Sequence, residues 1–100
     1  MAYIEMVTTK KALGPRGDYY DWCAVRDDGF LIFGDEQGNY CGGEFLTPES
    51  CPGVNDYWHS VRHSLESWKR RDSVFYEKIM DMVKRHGITI PKEPIQEVMI

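Results

Sequence analysis

The chain has 100 residues, of which 42% are hydrophobic and 28% are charged, and its formal net charge is −4. This length allows one domain with a modest core, and this composition is typical of a folded chain rather than a disordered one. We therefore predict a single domain over residues 1–100.

Two features of the sequence bear on the compartment. No apolar run approaches the roughly 20 residues that a membrane span needs, and the N-terminus lacks the basic start and long apolar stretch of a secretion signal. The three cysteines, Cys23, Cys41 and Cys51, are an odd number, which suits a reducing environment better than a disulfide framework. We expect a cytoplasmic protein with no membrane contact.

The sequence pattern of residues 1–46 predicts an antiparallel meander of about four strands. The strands alternate apolar and polar residues or are rich in aromatic and β-branched types. They are Tyr3–Thr9, Tyr19–Arg26, Phe30–Phe33 and Tyr40–Leu46. Residues 27–29 and 34–39 are of types that favour turns, so we predict turns between strands there. Residues 10–17 are predicted to form a basic loop. The pair Gly42-Gly43 within the fourth strand predicts a bulge.

Residues 47–87 predict helices. Thr47 and Pro48 are typical of a helix start, but Pro52 and Gly53 follow too closely, so we expect a single turn there. Asn55 is predicted to cap the next helix. Apolar residues then recur at spacings of three and four, in two stripes. These are Tyr57, Trp58, Val61, Leu65 and Trp68, and then Phe75, Tyr76, Ile79, Met80 and Val83.

The two stripes are nearly in phase, which leaves one long helix or two helices as alternatives. A single helix over residues 55–86 would be about 48 Å long, whereas a meander of short strands spans only about 20 Å. We favour two helices, or one sharply kinked helix, packed on one face of the sheet, with Asp72 or Ser73 capping the second. The predicted fold class is therefore α+β.

Residues 84–100 contain the signals that predict where the last helix ends. Gly87 is expected to cap the last helix, with the basic residues 84–86 near its negative end. Ile88–Ile90 is predicted to form a short strand, followed by a tail to residue 100.

The charges are distributed unevenly along the chain. Residues 17–56, here called the acidic block, carry −8, because they contain nine carboxylates and one base, Arg26. Residues 1–16 and 57–100 carry +2 each. The nine carboxylates are Asp18, Asp21, Asp27, Asp28, Asp35, Glu36, Glu44, Glu49 and Asp56. A negative surface of this kind repels nucleic acid and attracts basic proteins.

Turn chemistry explains part of the acidic block. The pairs at 27–28 and 35–36 fall in predicted hairpin turns, where aspartate is an ordinary residue. Asp21 and Glu44 fall within predicted strands, where acidic residues are disfavoured. These two therefore carry the most weight as functional candidates.

Metal binding and catalysis have little support in the sequence. His59 and His63 share a helix face at a spacing typical of metal ligands, but Arg62 lies between them and we predict no metal and no cofactor. Cys23 lies in mid-strand like a buried apolar residue, and no signature places a base beside Cys41 or Cys51. We expect no enzymatic activity.

The leading hypothesis is a small acidic binding protein that occupies a basic surface of a nucleic-acid-handling protein and inhibits it. Anti-CRISPR, anti-restriction and nuclease-immunity proteins are similar to this chain in size, charge and architecture, although it carries none of their motifs. The predicted partner-binding residues are Asp18, Tyr20, Asp21, Asp27, Asp28, Asp35, Glu36, Tyr40 and Glu44.

Two other classes of function remain as alternatives. The first is nucleic-acid binding, for which the basic clusters at residues 69–71 and 84–85 are candidate contacts, with Trp68 or Tyr76 available for base stacking. The acidic block and a pI of 5.3 oppose direct nucleic-acid binding. The second alternative is a small metal-binding or ligand-binding domain. We expect either a monomer or a homodimer.

Overall fold

The computed structural model describes residues 2–9, 12–14, 17–35 and 45–92, and these form an α+β fold. Its strands are β1 (Tyr3–Thr8), β2 (Ala12–Gly14), β3 (Gly17–Tyr19), β4 (Asp21–Arg26) and β5 (Leu31–Asp35). A 3₁₀ turn (Pro48–Ser50) precedes the helices α1 (Val54–Arg71) and α2 (Ser73–Arg85). The predicted order of a sheet followed by two helices is confirmed.

The main sheet has three antiparallel strands in the order β1-β4-β5. Four strands are not confirmed in it, and most of the predicted fourth strand lies outside the described residues, as does its predicted bulge. Its last residue, Leu46, bridges to Phe33 of β5 through two backbone hydrogen bonds of 3.0 and 3.2 Å. Leu46 therefore lies beside β5 on the edge opposite β1.

A second hairpin replaces part of the predicted basic loop. β2 pairs with β3, and Gly14 is opposite Gly17, so only two residues connect the strands. The prediction of an irregular loop was therefore wrong for residues 12–14 and 17, which belong to strands, and residues 10, 11, 15 and 16 lie outside the described residues. The predicted strand from Tyr19 is also divided, because Tyr19 belongs to β3 and β4 begins at Asp21.

The strand β5 is longer than predicted and includes Gly34 and Asp35, which were assigned to a turn. Gly34 lies opposite Trp22, and the indole covers it so closely that a Cβ at Gly34 would be 2.5 Å from Trp22 Cζ2. Trp22 Nε1 also donates a hydrogen bond of 3.1 Å to the Asp35 carbonyl. Only glycine leaves room for the indole in this position.

Replacing Gly34 with alanine should therefore lower the free energy of unfolding by about 1–3 kcal/mol, the usual cost of overpacking a core. Urea unfolding measures it. Gly53→Ser is the matched control, because Gly53 has an extended backbone with φ −163°, and serine is a good residue for that helix-capping position. Wild-type stability in Gly34→Ala would contradict the close packing of Trp22 on Gly34.

The turn before the helices forms as predicted. Thr47 Oγ1 accepts a hydrogen bond from the Ser50 N–H, and Ser50 Oγ accepts one from the Thr47 N–H, which together make a capping box. The prediction that Asn55 caps the next helix was wrong. The Gly53 carbonyl accepts the first helical bond, from the Tyr57 N–H, so Gly53 is the cap and Asn55 lies inside α1.

Among the described residues the helical part contains two α-helices, and Asp72 separates them. Its backbone N–H closes α1 on the Trp68 carbonyl, while its carboxylate accepts a hydrogen bond of 3.1 Å from the Phe75 N–H and caps α2. Gly87 ends α2 with φ +66°. The Ile88 N–H bonds to the Val83 carbonyl in a Schellman motif, so the predicted strand at Ile88–Ile90 is wrong.

The core lies between the sheet and the two helices. Both predicted stripes face it, although Tyr76 and Met80 are only partly buried and Met82 is an unpredicted core residue. The sheet contributes Cys23, Val25, Leu31 and Phe33 to this core. A smaller apolar cluster on the opposite face of the sheet contains Trp22, Ala24 and Ile32. Neither helix, in the part of the chain described, is long and apolar enough to cross a membrane.

One ion-pair cluster ties β1 to the end of α2. Glu5 accepts hydrogen bonds from both terminal nitrogens of Arg85, at 2.7 and 2.6 Å, and its Oε1 lies 2.7 Å from His86 Nε2. These neighbours lower the pKa of Glu5 to about 2. The Glu5 carboxylate therefore helps to hold β1 against the end of α2.

Candidate functional site

A polar cleft opens where the ends of β4 and β5 meet the C-terminal half of α1. Its volume is about 320 Å³. The residues that line this cleft, here called the Asp21–Asp35 cleft, are Asp21, Asp35, His63, Ser64, Ser67, Trp68 and Arg71. It combines two carboxylates with a guanidinium, an imidazole, two hydroxyls and an indole.

The antiparallel register brings the two carboxylates together. Asp21 is the first residue of β4 and Asp35 the last of β5, and they lie directly opposite each other. Arg26 and Phe30 form a hydrogen-bonded pair, because the Arg26 N–H bonds to the Phe30 carbonyl. Hydrogen-bonded and non-hydrogen-bonded pairs alternate along an antiparallel ladder, so Asp21 and Asp35 form a non-hydrogen-bonded pair. In such pairs the opposed Cα atoms are only about 4.5 Å apart and the side chains are closest.

The helix supplies the other wall of the cleft. Residues 64, 67, 68 and 71 follow a helical spacing, so they share one face of α1. Ser64 and Trp68 are buried, with 5% of each exposed. The Arg71 guanidinium lies over the Trp68 ring, 4.7 Å from its centroid. The indole thus already stacks against a planar cation at the edge of the cleft.

The electrostatics of the cleft disfavour the ionised form of Asp21. Burial raises the pKa of this carboxyl group, and the neighbouring charge of Asp35 raises it further, while Arg71 opposes both. A raised carboxyl pKa means that the folded protein binds this proton more tightly than the unfolded chain does. Ionised Asp21 therefore costs stability near neutral pH.

The carboxylates at the other end of β4 have a structural role. The Asp28 carboxylate accepts two hydrogen bonds from Arg26, at 2.7 and 2.8 Å, and Glu49 holds the remaining side of the same guanidinium at 2.8 Å. Arg26 is 7% exposed. It lowers the pKa of both carboxyl groups, and so Arg26, Asp28 and Glu49 form an ion-pair cluster that joins the sheet to the 3₁₀ turn.

The described members of the predicted partner-binding set lie at both ends of β4. Asp27 is exposed, and its carboxylate accepts a hydrogen bond from the Ala2 N–H beside the Arg26 cluster. Asp21 and Asp35 lie at the far end of β4, about 20 Å away at the usual rise of a strand. Tyr20 is partly buried against the Trp22 cluster.

The remaining predicted residues are placed only in part. The backbone of Asp18 pairs with Leu13 in the second hairpin. Three others lie outside the described residues: Glu36, Tyr40 and Glu44. Of the described members, Asp21 and Asp35 line the same cleft.

His63 lines the Asp21–Asp35 cleft, whereas His59, Cys23 and Cys51 do not. His59 and His63 are exposed on α1, and the described residues include no group of three histidine, cysteine or acidic side chains placed to hold a metal. Cys23 is fully buried, and burial raises the pKa of its thiol. Cys51 is a free, partly buried cysteine, and Cys41 lies outside the described residues.

The sequence interpretation missed the helix side of the cleft. Ser64 lies within the buried stripe of α1, between Val61 and Trp68, where a large apolar residue would close the cleft. A small polar residue at a core position of an amphipathic helix was the signal that could have revealed it. Arg71 gave no such signal, because its basic neighbours suggested an ordinary solvated surface.

The fold and the cleft define a small α+β domain with a mainly acidic cleft at one end of its sheet. Comparison with protein family models, with curated proteins and with solved structures finds no match to this chain.

Proposed function

We propose that this chain is a non-enzymatic protein-binding domain that inhibits a nucleic-acid-handling protein by covering its basic surface, with the Asp21–Asp35 cleft as the anchor. The direct opposition of two carboxylates in the cleft carries this proposal. Like charges in this arrangement destabilise a sheet. A basic side chain from a partner would remove the repulsion, so binding would recover a cost that folding imposes.

The distribution of charge supports a protein partner. The acidic block carries −8 over residues 17–56, and a field of this sign accelerates association with a basic surface and repels nucleic acid. At the Arg26 end of β4, the Asp28 and Glu49 carboxylates are already held by the Arg26 guanidinium. At the cleft end, the ionised form of Asp21 is disfavoured by burial and by Asp35, and we therefore take the cleft as the anchor.

The placement of the aromatic residues on the helices speaks against direct nucleic-acid binding. Trp68 is 5% exposed and lies beneath Arg71, and the Lys69 ammonium lies 5.9 Å from the centre of the Tyr76 ring. The Trp68 ring is therefore not open for a base to stack on, as single-stranded nucleic acid requires, and Tyr76 is only partly exposed. Arg71 is also directed to the cleft, which divides the basic cluster.

We place the protein in a reducing compartment such as the cytoplasm. Cys23 and Cys51 are both free thiols in the described part of the chain, which agrees with such a compartment. Nucleic-acid-handling enzymes operate there as well.

Comparative affinity capture tests the proposal. Immobilised wild-type protein, the double variant Asp21→Asn/Asp35→Asn and the control Glu77→Gln would be exposed to the same cell extract, with bound proteins quantified by mass spectrometry. Glu77 is exposed on α2 and away from the cleft. We expect a basic nucleic-acid-binding protein to be retained by the wild type and the control, released by salt, and lost from the double variant.

A contrary result has two forms. If the double variant retains the same proteins as the wild type, the cleft is not the anchor. If the specifically retained proteins are acidic, the proposed electrostatic basis of binding is wrong.

A further inference from the structure

We propose that two copies of this chain associate by pairing their β1 strands edge to edge, around a two-fold axis perpendicular to the sheet. The interface comprises residues 6–8 of β1 and the side of α2 that lies beside them. This inference goes beyond the proposed function and does not rest on it, because none of these residues lines the Asp21–Asp35 cleft.

Exposed apolar side chains are concentrated along the β1 edge of the sheet. Of the five large hydrophobic side chains that are exposed among the described residues, three belong to β1. They are Tyr3, Ile4 and Met6, with 45%, 56% and 46% exposed. A fourth, Val74, lies at the start of α2 and lines the same small hollow as Thr8. Single exposed apolar residues are ordinary, but a cluster of them marks an interaction surface.

The outer edge of β1 offers backbone groups to a partner strand. β1 is an outer strand of the main sheet in the part of the chain that the structure describes. The Thr9 N–H bonds to the Asp21 carbonyl, and hydrogen-bonded pairs alternate along the ladder, so residues 5, 7 and 9 bond to β4. The N–H and C=O groups of Met6 and Thr8 therefore point away from β4, towards the edge.

The sequence of β1 lacks the residues that usually keep an edge strand from pairing, which are lysine and proline above all. Residues 3–8 include neither. The one charged residue of the strand, Glu5, is engaged in the ion pair with Arg85 of α2. A bulge between Tyr3 and Glu5 interrupts the ladder, and bulges disfavour pairing. Residues 6–8 are therefore the stretch that is open to a second strand.

A two-fold axis at Val7, the middle of this stretch, fits both layers of the fold. It sets Met6 opposite Thr8 of the second copy, so that their outward-pointing backbone groups bond to each other. α2 packs on both β1 and β4, so its axis lies inside the edge of the sheet. With paired strands about 4.8 Å apart, the two α2 helices then lie about 10 Å from each other, a normal distance for packed helices.

The charges on α2 argue for a second copy as the partner. Lys78 lines a hollow with Thr8, and Asp81 bonds to Arg85, which also bonds to Glu5. Both Lys78 and Asp81 therefore lie on the β1 side of α2. The two-fold axis makes the two α2 helices antiparallel, which brings Lys78 of each copy towards Asp81 of the other. Such self-complementarity is what a two-fold interface requires.

The same charges make this surface a poor match for a basic protein. Lys78 and Arg85 balance Asp81 and Glu5, so the surface has no net negative charge. The surface beside β1 and the Asp21–Asp35 cleft are thus suited to different partners, a second copy and a basic protein.

Sedimentation equilibrium tests the inference on the full-length protein. With rising concentration, the wild type should approach twice the chain mass of 11.7 kDa. Met6→Lys places a charge at the edge of the sheet and should raise the dimer dissociation constant at least ten-fold. Val54→Lys is the matched control, because Val54 is also an exposed apolar residue but lies at the start of α1. It should dimerise like the wild type.

Charge reversal on α2 provides a second test, with variants that leave β1 intact. Lys78→Glu should weaken the dimer, because two carboxylates then face each other across the axis. The double variant Lys78→Glu/Asp81→Lys should restore association, since the attraction returns with the signs exchanged. If the double variant dimerises no better than Lys78→Glu, the antiparallel arrangement of the α2 helices is wrong.

Amide hydrogen exchange identifies the paired strand directly. The amides of Met6 and Thr8 should exchange more slowly as the protein concentration rises, because they become hydrogen-bonded in the dimer. Those of Glu5 and Val7, which already bond to β4, should change much less. A wild type that remains monomeric at millimolar concentration overturns the inference, as does a dimer that Met6→Lys and Val54→Lys affect equally.

Discussion

Replacing Tyr57 with phenylalanine should lower the free energy of unfolding by about 2–6 kcal/mol, although it removes a single oxygen atom. The Tyr57 hydroxyl accepts a hydrogen bond of 2.8 Å from the Leu31 N–H and donates one of 2.6 Å to the Leu31 carbonyl. Both residues are fully buried. Phenylalanine would leave two backbone groups without a partner, at about 1–3 kcal/mol each.

The sheet makes these two backbone groups unusually dependent on the tyrosine. Leu31 pairs with Val25 in a register that points its N–H and C=O away from β4. Two residues further along β5, the equivalent groups of Phe33 bond to Leu46. The Tyr57 hydroxyl thus provides the hydrogen-bond partner for the Leu31 backbone that Leu46 provides for the Phe33 backbone. No local rearrangement can replace it, because the site is closed to water.

Chemical denaturation and amide hydrogen exchange measure the effect of Tyr57→Phe. The free energy of unfolding should fall by the amount given above. The Leu31 amide should lose more of its protection from hydrogen exchange than the amides of its neighbours on β4. Tyr76→Phe is the control, since Tyr76 is only partly buried on α2, and it should change stability by less than about 0.5 kcal/mol. A loss in Tyr57→Phe no larger than the control would show that Leu31 finds another partner.

The Tyr57 contact illustrates which parts of the fold the sequence could predict. Helical spacing placed Tyr57 in the buried stripe, because periodicity reports which face of a helix is apolar. It could not place the hydroxyl, because the hydrogen bond joins residues 26 positions apart. Asp72 was predictable as a cap because that bond is local, to the N–H three residues ahead.

The cleft was predictable in part for the same reason. Asp21 was recognised as an acidic residue in a predicted strand, which local propensity disfavours. Asp35 was assigned to a turn, because Gly34 precedes it and glycine is usually a turn residue. The glycine instead makes room for Trp22 in the tertiary structure. The opposition of Asp21 and Asp35 therefore depends on a packing contact that sequence patterns do not report.

The replacement of Asp21 with asparagine should change stability and binding in opposite directions. Above the folded-state pKa of Asp21, which burial and Asp35 raise, the ionised carboxylate destabilises the fold. The asparagine variant should therefore melt at a higher temperature than the wild type at pH 7. It should also bind the basic partner at least ten-fold more weakly, because a partly buried charge pair contributes about 1.5 kcal/mol or more.

The pH dependence gives this prediction a second signature. As pH falls through the raised pKa of Asp21 and then through its ordinary value, the wild type takes up the proton that removes the penalty. The stability difference between Asp21→Asn and the wild type should therefore be largest near neutral pH and shrink in acid. Comparing the two proteins at each pH cancels the opposite trend from Glu5, whose pKa is lowered to about 2.

These opposite signs distinguish a binding role from a structural one. An aspartate kept for the fold, such as Asp28 beside Arg26, should cost stability when it is replaced. An aspartate kept for a partner imposes a cost on the free protein that binding relieves, and such sites commonly gain stability on substitution. Glu77→Gln, which removes the same charge outside the cleft, should change neither quantity appreciably. If Asp21→Asn lowers the melting temperature at pH 7, the Asp21 carboxylate stabilises the fold, and the argument for the cleft as an anchor loses its physical basis.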